Sequence, residues 1–177
     1  MIITSKQAEM ETVLETAKAM CAAARTAPKA KGMDFVRTAI LTEDDKDALA
    51  DEMDRLSETL GMAFFHRDAD NIRNSMAVVL IGHENVVRGL NESCRFCGFE
   101  NCKACADAGG SCAYTGVDLG IAVGSAVSVA AANKVDNRVM FSAGRAAMEK
   151  KLLGEGVCQA FGIPLSVTGK SPYFDRK

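Results

Sequence analysis

Apolar and polar residues alternate along the chain in a way that separates helices from strands. Met10, Val13, Leu14, Ala17, Met20, Cys21 and Ala24 recur at helical spacing, behind a Thr4-x-x-Gln7 capping signal. This predicts an amphipathic helix ending near Ala24, with Cys21 on its apolar stripe as a small buried hydrophobe. Pro28 and Gly32 then break the pattern. Residues 35–41 read as a strand. Thr42-x-x-Asp45 marks a second helix start, and Glu43, Asp44 and Asp45 suit its positive dipole end. Leu49, Met53, Leu56 and Leu60 continue that helix, and Gly61 falls where a left-handed cap belongs.

Residues 76–82 form a short continuous apolar run, the mark of a strand buried on both faces. Residues 83–115 are polar, rich in Gly and Cys, and without period. Residues 116–132 read as a helix in which Gly116, Gly120, Gly124, Ser128 and Ala132 recur every four positions. Such positions share one face and leave a smooth groove for another helix or a planar ligand. Beyond it are expected a turn at 136–138, a strand at 139–141 and a helix from Ser142 through Leu153 that stops at Gly154. A last strand over 157–167 is interrupted at 162–164. The polar tail, 168–177, suits docking on a partner subunit. Strands and helices alternate with no repeat and no linker. The expectation is one α/β or α+β domain over 1–177, a layered sheet covered by helices, with 83–115 as a Cys-rich segment within it.

Composition narrows the function. The 177 residues are 48% hydrophobic and 25% charged, with a net charge of −2. A chain of this size buries a core without staples. No basic patch stands out, aromatic residues are 6%, and Trp is absent, so the footprint of a nucleic-acid binder is missing. The apolar stretch 119–132 is too short to span a bilayer, and the N-terminus carries no signal-peptide pattern. The expected location is cytoplasmic. Clustered cysteines in a reducing compartment point to metal or redox chemistry over disulfides.

Five of seven cysteines, Cys94, Cys97, Cys102, Cys105 and Cys112, read C-x2-C-x4-C-x2-C-x6-C. Iron–sulfur clusters are held by thiolates, usually four. The favoured set is Cys94, Cys97, Cys102 and Cys112. Gly98, directly after Cys97, allows a tight curl that aims amides at sulfur. Cys105, one helical turn after Cys102, is an alternative ligand or a spare thiol. A plant-type order through Cys97, Cys102, Cys105 and the distant Cys158 ranks lower. Zinc uses similar cysteine pairs and stays open as the metal, as does thiol–disulfide chemistry. His66 and His83 read as surface or hydrogen-bonded structural residues. No Ser–His–Asp order, Walker loop or G-x-G-x-x-G is present.

The run Cys94-Arg-Phe-Cys97-Gly-Phe-Glu-Asn-Cys102, followed by Cys112, resembles the four-cysteine [4Fe–4S] segment of electron-transport complex subunits and corrinoid proteins. The whole chain resembles a prokaryotic family of uncharacterised ferredoxin-domain proteins. The residues that carry this likeness are 24–32, 118–126, 135–140, 162–170 and 174–176. A second resemblance is to nitroreductases, which bind FMN at a homodimer interface. It rests on the Ala27-Pro28 turn, the Asp118-Leu119-Gly120 helix and the order of elements. It implies a nitroreductase-like sheet with a cluster-binding insertion, a homodimer, and Arg25, Lys29 and Lys31 as FMN phosphate contacts. The chain lacks that family's Arg-rich N-terminal signature. Its Ala-Pro turn continues through Lys31-Gly32, where nitroreductases place an Asn against the flavin. The expected function is [4Fe–4S] binding and electron transfer to a redox partner protein or a flavin. The alternatives are a zinc-binding or sensor module without catalysis and an FMN-dependent oxidoreductase.

Overall fold

The computed structural model describes residues 1–174, so Asp175 and Arg176 of the resemblance lie outside the described residues. Helix α1 (Ser5–Thr26) starts where Thr4 Oγ1 accepts the Gln7 N–H at 3.3 Å. The Gln7 side chain reaches forward to Glu11 instead of back, so only half of the capping box forms. Strand β1 (Val36–Leu41) and helix α2 (Glu43–Leu60) follow as expected. Gly61 ends α2 in the left-handed conformation, φ 65°. Thr42 makes no side-chain cap.

Helix α3 (Phe64–Arg73) has no counterpart in the sequence reading. Its buried apolar face is only Phe65, Ala69 and Ile72 in a charged background, too short a stripe to announce a period. Strand β2 (Ala77–Glu84) is buried over its first seven residues. After the Cys-rich segment and its short helix α4 (Cys102–Asp107) comes the long helix α5 (Ala113–Ala132). Strand β3 (Asp136–Asn137), helix α6 (Phe141–Glu149) and strand β4 (Val157–Ser166) complete the order.

Several expectations near the end are corrected. The strand at 139–141 is a single bridge, Met140 to Gly162, and the true β3 takes the place of the expected turn. Met140, not Ser142, caps α6; Ser142 is buried and donates to Asp68 Oδ2 at 2.6 Å. Strand β4 also runs unbroken through Gly162, Ile163 and Pro164. Gly162 exchanges both backbone bonds with Met140, so Pro164, two residues on, faces the same edge. There β3 pairs only with Leu165 and Ser166, and no ladder bond needs the N–H that proline lacks.

The four strands form one antiparallel sheet in the order β1-β2-β4-β3. Alternation along β2 divides the core. Ala77, Val79 and Ile81 pack with Val13, Met20, Leu119 and Ala126 of α1 and α5. Val78 and Leu80 pack with Leu49, Met53, Phe65, Ala143 and Ala146 of α2, α3 and α6. Each large aliphatic so buried contributes about 1.5–3 kcal/mol. Helix α5 outlasts the apolar run 119–132 and is long and apolar enough to cross a membrane. Its length therefore does not argue against a span; the placement of Leu119, Ala122, Ala126 and Ala130 makes it a core helix of the sheet.

Candidate metal centre

The Cys-rich segment runs from the end of β2 to the start of α5 and is held by few regular bonds. A 3-10 turn at Asn91–Ser93 leads into Cys94, whose N–H bonds the Asn91 carbonyl. Arg95 and Gly98 both adopt positive φ, 52° and 83°, and the Gly98 N–H closes on the Arg95 carbonyl at 3.0 Å. The chain thus curls tightly round Cys97, with glycine where the left-handed conformation is least costly. Asn101 Oδ1 then caps α4 by accepting the Ala104 N–H at 2.9 Å. Cys102 and Cys105 stand one turn apart on this short helix, on the same face.

Cys105 is the centre of the group, with 1% of its surface exposed. Burial first, then the neighbouring thiols of Cys97, Cys112 and Cys102, push the Cys105 thiol above its ordinary pKa. Cys102 Sγ also accepts the Asn91 N–H at 3.3 Å. Cys112, buried, is the last residue before α5 and its side chain makes no cap. Cys94, half-buried, directly follows the 3-10 turn. Cys158 stands apart on β4, exposed, with its thiol 3.5 Å from the His83 carbonyl. All seven cysteines are free thiols. Among the described residues no three Cys, His, Asp or Glu side chains are grouped tightly enough for a single metal ion. Gly110 is closely packed: a Cβ there would lie 2.8 Å from the Phe99 ring and 3.1 Å from Cys105 Sγ.

Arg88, within the same segment, centres a buried ionic network that the sequence reading missed. Arg88, 2% exposed, donates to Asp118 Oδ2 at 2.7 Å and to the Val86 carbonyl at 2.9 Å. The same guanidinium lies 2.9 Å from His83 Nε2 and over the Phe35 ring at 5.2 Å. An arginine always donates, so Nε2 accepts and Nδ1 carries the proton that is given to the Glu84 carbonyl. Burial holds His83 below its ordinary pKa. Asp118, on α5, takes the Ala30 N–H at 3.0 Å with its other oxygen. The network thus ties the exit of β2, helix α5 and the turn after α1. Its one visible signal is Asp118, a lone charge in an otherwise apolar helix. Arg88 Nε and Thr115 Oγ1 are buried without a hydrogen-bond partner.

The cationic turn is differently engaged. Arg25 pairs with Asp34 at 2.7 Å and donates to the Val36 carbonyl. The buried Lys29 ammonium donates to the carbonyls of Ala24, Arg25 and Ala27, capping the C-terminal end of α1. Lys31, at φ 59°, lies against Gly89.

These features meet known proteins at two levels. Residues 108–176 match the model of a family described as uncharacterised proteins containing a ferredoxin domain. Of the five clustered cysteines, Cys112 falls inside that match. An uncharacterised protein of Archaeoglobus fulgidus is 38% identical over 99% of this chain and 98% of its own length. Among solved structures, the nitroreductase CinD of Lactococcus lactis, in complex with chloramphenicol, is similar with a TM-score of 0.63 at 18% identity. That match covers 90% of this chain and 79% of CinD. An oxidoreductase containing FMN is similar with a TM-score of 0.59 at 14% identity, over 88% and 67% of the two chains. Likeness at such identity speaks for the fold, and the antiparallel sheet between two helical layers is nitroreductase-like. The chain belongs to the family of uncharacterised proteins that contain a ferredoxin domain.

Proposed function

We propose that this protein is an iron–sulfur electron carrier, with one [4Fe–4S] cluster held in the segment between β2 and α5. The observation that carries the reading is the buried Cys105 thiol with Cys97, Cys102 and Cys112 around it. The donor set is all sulfur, with no histidine among it, and suits a soft site. The family description, a ferredoxin domain, favours iron–sulfur over zinc. Cys94, Cys97, Cys102 and Cys112 are the ligands, and Cys105 is a fifth thiol beside Cys97, Cys102 and Cys112. Bound there, a cluster takes up and releases one electron at a time.

The chain's own residues do the holding. The positive-φ curl at Arg95–Gly98 turns Cys97 inward, Asn101 fixes the helix that bears Cys102, and the Asn91 N–H donates to Cys102 sulfur. Such amide donors stabilise the added electron. Phe96, exposed and stacked on Tyr114 at 5.8 Å, gives the segment an aromatic outer surface for a redox partner protein.

A flavin does not fit the turn after α1 as it stands. Arg25 and Lys29, two of the three cations expected to meet a flavin phosphate, are already held by Asp34 and by helix carbonyls. Helix α5 presents Gly116, Val117, Gly120, Ile121, Gly124 and Ser128 outward with no charge, and this face fits a second copy of the chain. Ile121→Glu is expected to shift a dimer to monomer in light scattering.

The experiment is anaerobic purification, with iron, acid-labile sulfide, zinc and flavin measured on one sample. About four iron and four sulfide per chain without flavin support the reading. Stoichiometric zinc without sulfide overturns it.

A further inference from the structure

We infer that Asn85 is a positioning residue for Cys112, and so for the cluster. The inference rests on the cluster reading above. Asn85 is the first residue beyond β2, and the strand end it leaves from is pinned. The Glu84 N–H bonds the Phe35 carbonyl at 3.2 Å, and the Glu84 carbonyl accepts from His83 Nδ1 at 2.5 Å. From there the Asn85 side chain reaches across 25 residues of sequence. Its Nδ2 donates to the Gly110 carbonyl at 3.0 Å, and its Oδ1 accepts the Cys112 N–H at 3.2 Å. Ser111 Oγ lies at the outer limit of the same oxygen, 3.5 Å away.

A primary amide offers one donor and one acceptor side by side. Asn85 therefore meets the backbone of 110–112 as a strand would, from a side chain. The backbone bond of that stretch, Gly110 N–H to the Cys105 carbonyl at 2.8 Å, lies within the segment itself, and Ser111 meets the Cys158 thiol of β4 by its side chain alone. The Asn85 pair ties it to the sheet. Cys112 uses no side-chain cap on α5, so its thiol is free to turn toward Cys105 while its backbone is fixed. The clamp also occupies the Cys112 N–H. An amide left free beside cluster sulfur can donate to it, and such donation favours the reduced state. Asn85 thus both places the thiol and withholds a donor.

The test uses the full chain, loaded anaerobically, as wild type, Asn85→Ala and Asn85→Asp. The alanine variant should hold iron about ten- to a hundredfold less well against a chelator, the usual cost of losing a residue behind a metal ligand. Its midpoint potential should rise as the Cys112 amide is freed. Aspartate keeps the acceptor for the Cys112 N–H but loses the donor to the Gly110 carbonyl, so it should restore retention in part, and its added charge should lower the potential. In the cluster-free chain, the Cys112 amide should exchange faster in the alanine variant and recover with aspartate. Unchanged retention and potential in Asn85→Ala overturn the inference while leaving the cluster reading intact. Weaker retention at an unchanged potential, without rescue by aspartate, is general loosening and overturns it too. A wild-type chain that takes up no iron and sulfide overturns the cluster reading, and the inference with it.

Discussion

Strand β2 and the Cys-rich segment that follows it are continuous in sequence and opposite in construction. Residues Ala77 to Ile81 are wholly buried, paired on both sides from Val78 onward, and packed by helices above and below. The segment beyond Asn85 has one six-residue helix, and Gly89, Asn91, Arg95, Gly98 and Gly109 take positive φ. The first region is held by burial and ladder bonds. The second has thiols where a core would be. A stretch that spends so much conformational freedom for so little apolar burial calls for a bound group at its centre. Arg88 joins the segment to β2 through His83 Nε2 and to α5 through Asp118, and the Asn85 clamp joins the end of β2 to Cys112.

The largest expected effect breaks the frame alone. A Cβ at Gly144 would stand 1.9 Å from the Ala160 carbonyl oxygen and 2.7 Å from Phe161 Cα, where α6 lies on β4. Backbone cannot yield like a side-chain tip, so Gly144→Ala belongs with the exceptional losses above about 5 kcal/mol. Urea unfolding or soluble yield measures it. Next comes the joint between the regions. Asp118→Ala strands the buried Arg88 charge and should cost about 3–5 kcal/mol, whereas Arg88→Met with Asp118→Leu should recover most of it. Full stability in the single variant would mean that water reaches the pair.

Substitutions in the segment should spare the frame. Cys112→Ser should abolish stoichiometric iron and sulfide while urea unfolding of the cluster-free chain shifts by less than about 1 kcal/mol, the scale of one hydrogen bond. Cys105→Ser should still load, since Cys105 is the fifth thiol. Loss of the cluster in Cys105→Ser and retention in Cys94→Ser would exchange their roles.

The smallest effects separate the two histidines by pH. Hydrogen bonding and charge from Asp54, 2.6 Å away, raise the pKa of the exposed His66. Its contribution to stability is present in full below the unfolded value near 6.5 and fades as pH rises through the folded one. Burial lowers His83, so its contribution is present above that unfolded value and is lost as pH falls toward the folded one. His66→Gln and His83→Gln should therefore change the pH dependence of unfolding with opposite sign.

What could be read in the sequence follows from how each region is built. Strand β2, helices α1, α2 and α5, and the Gly61 cap were legible because burial repeats with the period of the element. Helix α3 was not, since three apolar residues among charges carry no period. Strand β4 looked broken at Pro164, because a sequence does not show that the neighbouring strand ends there. The cysteines were legible by spacing, which marks thiolate chemistry without marking the fold. Their supports were not. Asn85, Asn101 and Arg88 are ordinary polar residues in a loop until partners 3 to 30 positions away are in place. The basic turn shows the reverse: Arg25 and Lys29 looked available for an anion, and their carbonyl and carboxylate partners became visible only in the folded chain.

The most direct test of the central claim is hydrogen exchange on the anaerobic full chain, with the cluster loaded and then removed by a chelator. Loading should slow exchange across residues 85–112 and leave 77–81 unchanged. Equal exchange of the segment in both states would contradict the claim that a bound cluster takes the place of its core.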